Sequence, residues 1–185
     1  MRILNLNQNW KGERFEFRYT TTHYYRVEVS YIENGMSFEL KREQLPEPLE
    51  KSFTTSLFSD WLISPEDYGV FERDRLLGFI ELSMEDWNNR LRIANIWVDE
   101  DHRRKGIGKR LIAKAVQVAQ KRDCRSIVLE TQSCNDPAIH FYHNCGFKLV
   151  GLDVNHYTNQ DIERGEVRLE FAMIVPESPA PTENH

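Results

Sequence analysis

The chain has 185 residues, enough for one domain with or without an extension, and its 40% hydrophobic and 29% charged content reads as globular with a real core. A formal net charge of -5 argues against general nucleic-acid binding and suits a cationic partner. No apolar run approaches the roughly 20 residues needed to cross a membrane. The opening MRILNLNQNW lacks the apolar core of a signal peptide, and three cysteines without a CxxC pair fit a reducing, cytoplasmic setting rather than a disulfide framework.

In chain order, Tyr24 to Ile32 is rich in Tyr and Val and reads as a strand. Glu33-Asn34-Gly35 is a turn signal, and MSFEL after it reads as a second strand. LPEPLEKSF reads as a proline-marked connection. The stretch from Asp60 to Leu82 predicts two strands around a charged turn at Glu72 to Arg75. Trp87 to Arg90 reads as a turn and Leu91 to Val98 as a strand. A basic, glycine-bearing loop follows, and then a helix whose buried face is Ile107, Leu111, Ile112, Ala115, Val118 and Ala119. Ser126 to Thr131 is a short strand apolar on both faces, as in a central or parallel position. Asp136 reads as an N-cap followed by proline at the first helical position. Ala138, Phe141, Tyr142 and Cys145 form the apolar face of that helix, and Gly146 stops it. FKLVGL and EVRLEFAMIV are late strands, and Pro176 to His185 reads as a disordered tail. This order predicts an α+β fold with a mixed sheet, divided as residues 1–60 (N-terminal strands of the same domain), 61–175 (core) and 176–185 (tail).

The loop Arg103-Arg104-Lys105-Gly106-Ile107-Gly108 lies between a strand and a helix start. There free N–H groups, the positive dipole end and nearby cations favour an anion, and glycine lets backbone approach it closely. It is no P-loop, because Gly108-Lys109 is followed by Arg110. It is no dinucleotide fingerprint either, because Leu111 stands where a third glycine is needed.

Arg-x-x-Gly-x-Gly after a strand, followed by Asn135 to Phe147 (NDPAIHFYHNCGF), resembles the two motifs of the GNAT superfamily of N-acetyltransferases. Within it, WNNRLRIANIWVDEDHRRKGIGKRLI, VLETQSCNDPAIHFYHNCGF and GLDVNHYTNQDIERGEVRLE are similar to the streptothricin acetyltransferase branch, over about Phe71 to Phe171. The resemblance implies a mostly antiparallel mixed sheet flanked by helices, with a β-bulge and splayed strands at the acetyl-CoA site. It implies acetyl-CoA as co-substrate, no metal, and direct transfer through a ternary complex to a primary amine of a small cationic acceptor, with streptothricin and its β-lysine moiety favoured. Another polyamine, a protein lysine or a non-catalytic acyl-CoA sensor are the alternatives. Nucleic-acid and membrane partners are not expected, and a homodimer is left open.

By the same resemblance the pyrophosphate would lie on Arg103, Arg104, Lys105, Gly106, Ile107, Gly108 and Lys109. The pantetheine would lie on Ile96, Trp97, Val98, Asn135 and Ala138. Tyr142 would protonate the departing thiolate and the Val98 N–H would meet the oxyanion. An alkylamine of pKa ~10 must lose a proton before attack, and Glu130 and Glu81 are the candidate bases. Asp153, Asp161 and Glu163 belong to an acidic stretch that could face a polyamine. His140 and His143 lack a third ligand and read as helix-surface residues, and Cys134 reads as a small core residue rather than a nucleophile.

Overall fold

The computed structural model describes residues 1–177. In chain order the elements are β1 (Arg2–Leu6), β2 (Arg14–Ile32), β3 (Gly35–Ser56), β4 (Glu66–Glu72), β5 (Arg75–Glu85), β6 (Arg90–Val98), α1 (Ile107–Lys121), β7 (Ser126–Gln132), α2 (Asp136–Asn144), β8 (Lys148–Asp153) and β9 (Arg168–Ile174). They fall into two compact units. One comprises residues 1–12, 57–128 and 173 onward, and the other 13–56 and 129–172. Residues 1–60 are thus distributed over both.

In the first unit β1, β4, β5 and β6 form an antiparallel run, and the start of β7 joins β6 in parallel. The sheet is mixed and mostly antiparallel, as expected. α1 covers β4, β5 and β6, and the six apolar residues of its predicted face are its buried residues. Fully burying each large aliphatic there stabilises by roughly 1.5–3 kcal/mol. The β4–β5 turn closes at Arg73-Asp74, with Arg73 at φ 53°. The strand beginning at Arg2 carried no clear signal in the sequence.

One irregularity shapes β6. Glu81 pairs with Asn95 and Leu82 with Ile93, so Ala94 is an extra residue, a β-bulge. Within the first unit β6 pairs with β7 through Arg90, Leu91 and Arg92. The bulge matches the expectation from the resemblance. Gly78 on β5 permits the local packing, because a Cβ there would lie 2.8 Å from the Trp97 carbonyl oxygen and 3.0 Å from Ile107.

In the second unit β2 and β3 form a long hairpin closed by Glu33-Asn34. The strand expected at Tyr24 begins at Arg14, and LPEPLEKSF is not a connection. β3 runs through it, because between the pairs Thr21–Leu49 and His23–Gln44 it carries extra residues opposite Thr22. Pro46 and Pro48 sit in this bulge, where a missing N–H costs no ladder bond. The end of β7, β9 and β8 are neighbours in that order, and α2 packs on β2. β7 is largely buried along its length, as its apolar run predicted. The tail reading of 176–185 falls, from residue 178, outside the described residues.

Candidate active site

The first unit presents an open helix start. Gly106 is the N-cap of α1 at φ 82°, in the left-handed region, and no side chain caps the helix. The first turn carries no acidic residue, while Arg104, Lys105 and Lys109 are exposed around it. A Cβ on Gly106 would meet nothing within 4 Å, so the space above the turn is free. Unsatisfied amides, a dipole end and cations together fit a pyrophosphate.

The edge of β6 adjoins that loop in sequence. The Asp99 N–H donates to the Leu77 carbonyl at 3.0 Å. By strand alternation, Ile96 and Val98 then direct their backbone groups to the other edge of β6. Arg103 Nε donates to the Val98 carbonyl at 3.2 Å, so that carbonyl already has a partner. The Trp97 ring stacks on Phe79 at 5.7 Å, so its side chain is a packing group.

Of the two candidate bases, Glu81 is not accessible. It is 0% exposed and accepts from the Phe58 N–H at 2.8 Å and from Asn95 Nδ2 at 2.6 Å. Burial raises its pKa against those donors. Glu130, in the second unit, is half-exposed and ion-paired with Arg168. Arg168 also reaches His156, which contacts Asp153. Tyr157 stands beside them, its pKa pushed up to about 12 by burial and then by the Glu130 charge.

α2 begins one residue earlier than the sequence suggested. Asn135, not Asp136, is the N-cap, and its Oδ1 accepts from the Ala138 N–H at 3.3 Å. Asp136 lies inside the first turn, held by Arg42 through two bonds of 2.8 and 3.0 Å. The buried apolar positions of α2 are Ile139 and Tyr142, while Ala138, Phe141 and Cys145 are only half-buried. Tyr142 is 8% exposed, edge-on to Phe147 at 6.0 Å. Burial, then Cys145, raises its pKa, so the phenol stays protonated. Gly146 at φ 94° ends the helix as predicted.

The acidic stretch divides. Asp153 and Glu163 are exposed. Asp161 is 0% exposed and accepts from the amides of Tyr157 and Thr158 and the Thr158 hydroxyl, at 2.8 to 2.9 Å. It organises the loop and does not line a wall. His140 and His143 are exposed, and among the described residues no three His, Cys, Asp or Glu converge as metal ligands. Cys134 is buried against the Tyr19 hydroxyl at 3.5 Å. Among the described residues no helix is long and apolar enough to cross a membrane.

Comparison with known proteins bears on this arrangement. The model of the Acetyltransferase (GNAT) family matches residues 36–147. The chain belongs to the GNAT family of acetyltransferases. It is therefore an N-acetyltransferase with acetyl-CoA as co-substrate. It is 33% identical over 172 residues to the streptothricin acetyltransferase of Streptomyces lavendulae, covering 89% of this chain and 88% of that one. It is 37% identical over 143 residues to the streptothricin acetyltransferase of Escherichia coli, covering 76% of each. Its structure matches that of nourseothricin acetyltransferase with a TM-score of 0.75 at 28% identity, over 95% of this chain and 98% of the other.

Proposed function

We propose that this GNAT enzyme acetylates a primary amine of streptothricin, on its β-lysine moiety, by direct transfer from acetyl-CoA in a ternary complex. The observation that carries this reading is similarity to streptothricin acetyltransferases along nearly the whole chain rather than over the acetyl-CoA motifs alone. Acetylation of the drug would confer resistance.

The roles follow the chemistry of each group. Amides from Arg104 to Lys109 hold the pyrophosphate, with charge from Arg103, Arg104 and Lys105. Backbone groups of Ile96 and Val98 pair with the pantetheine as an added strand would. The Asn135 oxygen is spent on its helix, so its Nδ2 is the atom free to donate to a pantetheine carbonyl. The Val98 N–H faces the oxyanion.

Glu130, the accessible base candidate, takes the ammonium proton directly or through water, and for this Arg168 must yield the carboxylate. Tyr142 returns a proton to the thiolate. Its raised pKa makes that transfer uphill unless the thiolate is desolvated alongside it. Asp153 and Glu163 attract the cationic acceptor.

Expression in a sensitive bacterium should raise its tolerance of streptothricin. Tyr142→Phe, which keeps the ring, should lower kcat by roughly 10²-fold and cancel most of that gain. A kcat within about twofold of wild type would remove Tyr142 from the mechanism. An unaltered tolerance with active, soluble protein would favour another polyamine or a protein lysine as acceptor.

A further inference from the structure

Asp67, Glu81 and Asn95 form a row across three neighbouring strands of the first unit. Asp67 is the cross-strand partner of Glu81, and Glu81 of Asn95. Asp67 and Glu81 are both 0% exposed. Directly opposed residues of an antiparallel pair have Cβ atoms about 4.5–5.5 Å apart, so the two carboxyl groups meet inside the protein.

Their partners are unequal. Glu81 accepts from the Phe58 N–H and from Asn95. Both oxygens of Asp67 are buried without a hydrogen bond of good geometry, and the Phe58 amide, already given to Glu81, acts on Asp67 only weakly against burial. The titratable group acting on Asp67 is Glu81. The groups acting on Glu81 are Asn95, the Phe58 and Ser59 amides and Asp67, with no cation among them. Two ionised carboxylates in such a place would repel each other strongly and leave Asp67 unsatisfied. One proton removes both penalties, because a protonated Asp67 becomes a donor aimed at an acceptor. Burial first, and the Glu81 charge second, push Asp67 up to about 8.

The row sits at the bulge. Ala94 is the extra residue of β6, and the next residue, Asn95, has its amide held by Glu81. The edge Ile96–Val98 follows at once. We propose that Asp67 and Glu81 share one proton, and that this protonated pair positions the β6 bulge and the Ile96–Val98 edge for acetyl-CoA. Loss of the proton would set the carboxylates against each other, displace Glu81 from Asn95 and loosen the edge. The positioning half rests on the reading of that edge as the pantetheine site.

Calorimetric titration of acetyl-CoA from pH 6.5 to 9.5, with thermal melts alongside, tests this on wild type and Asp67→Asn. The variant keeps an N–H donor where the shared proton lay. The wild-type Kd should rise by at least about fivefold, or about 1 kcal/mol, between pH 7 and 9.5. Asp67→Asn should lack that limb and bind at least about threefold tighter than wild type at pH 9.5.

The melts follow from linkage. A carboxyl whose folded pKa is raised contributes stability that is full below its unfolded pKa of about 3.9 and lost as pH rises through about 8. Wild-type Tm should therefore fall more steeply than that of Asp67→Asn between pH 6.5 and about 8, and the two should run parallel above it. A flat wild-type affinity profile, or a variant that keeps the alkaline limb, overturns the positioning role. Absence of acetyl-CoA binding at any pH sinks the pantetheine reading and the positioning role with it, while the melts still decide whether the proton is shared. If Asp67→Asn does not fold, carbon-13 NMR of the wild-type carboxyl groups decides. A carboxyl group of the pair titrating near pH 8 is expected, and every aspartate and glutamate titrating below about pH 6 contradicts the shared proton.

Discussion

The two α-helices of the described residues begin in opposite ways. α1 starts at a left-handed glycine with no side-chain cap, no acid in its first turn and exposed cations around it. α2 starts with Asn135 bonded to the Ala138 amide and with Asp136 locked to Arg42. A helix start costs free energy when its donors are left unsatisfied. One start is closed by the protein's own side chains. The other is held open, and the group suited to close it is a foreign anion.

Closing the open start should have the largest effect. Gly106→Asp places a side chain and a negative charge beside the free amides, at a cost in backbone strain because Gly106 is at φ 82°. The Kd for acetyl-CoA should rise at least about tenfold, or 1.4 kcal/mol, while the protein stays folded with a Tm lowered only by the strain at that residue. Calorimetry showing unchanged affinity would mean that the α1 start does not hold the pyrophosphate.

Opening the closed start is the converse. Asp136→Ala removes the two bonds to Arg42, which is partly exposed, and should lower stability by about 1–2 kcal/mol. Burial works against the Asp136 carboxylate, but Arg42 and His140 outweigh it and hold its pKa below the usual range. That stabilisation is present above the unfolded pKa of about 3.9 and lost as pH falls through the lower folded value. Melts of the two proteins should differ at pH 6 and converge in strong acid.

The smallest effect sharpens the contrast. Asn135→Ala should cost ~1 kcal/mol of cap, about 2–4 °C in Tm. Asn135→Asp should restore the Tm without restoring an amide donor. If its acetyl-CoA affinity also returns to wild type, Asn135 is a cap and nothing more.

What could be read from the sequence was what is local. The α1 face, the glycine turn and the β7 run each lie within a few residues of their own signal, and all three stand as expected. Registers between distant segments could not be read. The prolines of LPEPLEKSF suggested a break because nothing near them reveals that Thr22 lies opposite a bulge able to absorb them. Asp161 looked like one acid among several until its loop closed around it. Glu81 was one of two candidate bases, and its complete burial was not legible. Its partner Asp67, which joins it only through cross-strand pairing, carried no signal at all. The shift of the α2 cap from Asp136 to Asn135 is a smaller instance, since both residues are good caps and only the Arg42 contact removes Asp136 from the choice.

The most direct measurement is the product itself. Streptothricin is incubated with acetyl-CoA and the purified protein, thiol release is followed, and the drug is then analysed by mass spectrometry. The expected result is a gain of one acetyl group on an amine of the β-lysine moiety, with an equal amount of thiol released. Unmodified streptothricin, beside good turnover of spermidine or a lysine-bearing peptide, would contradict the proposed acceptor while leaving the acetyltransferase in place.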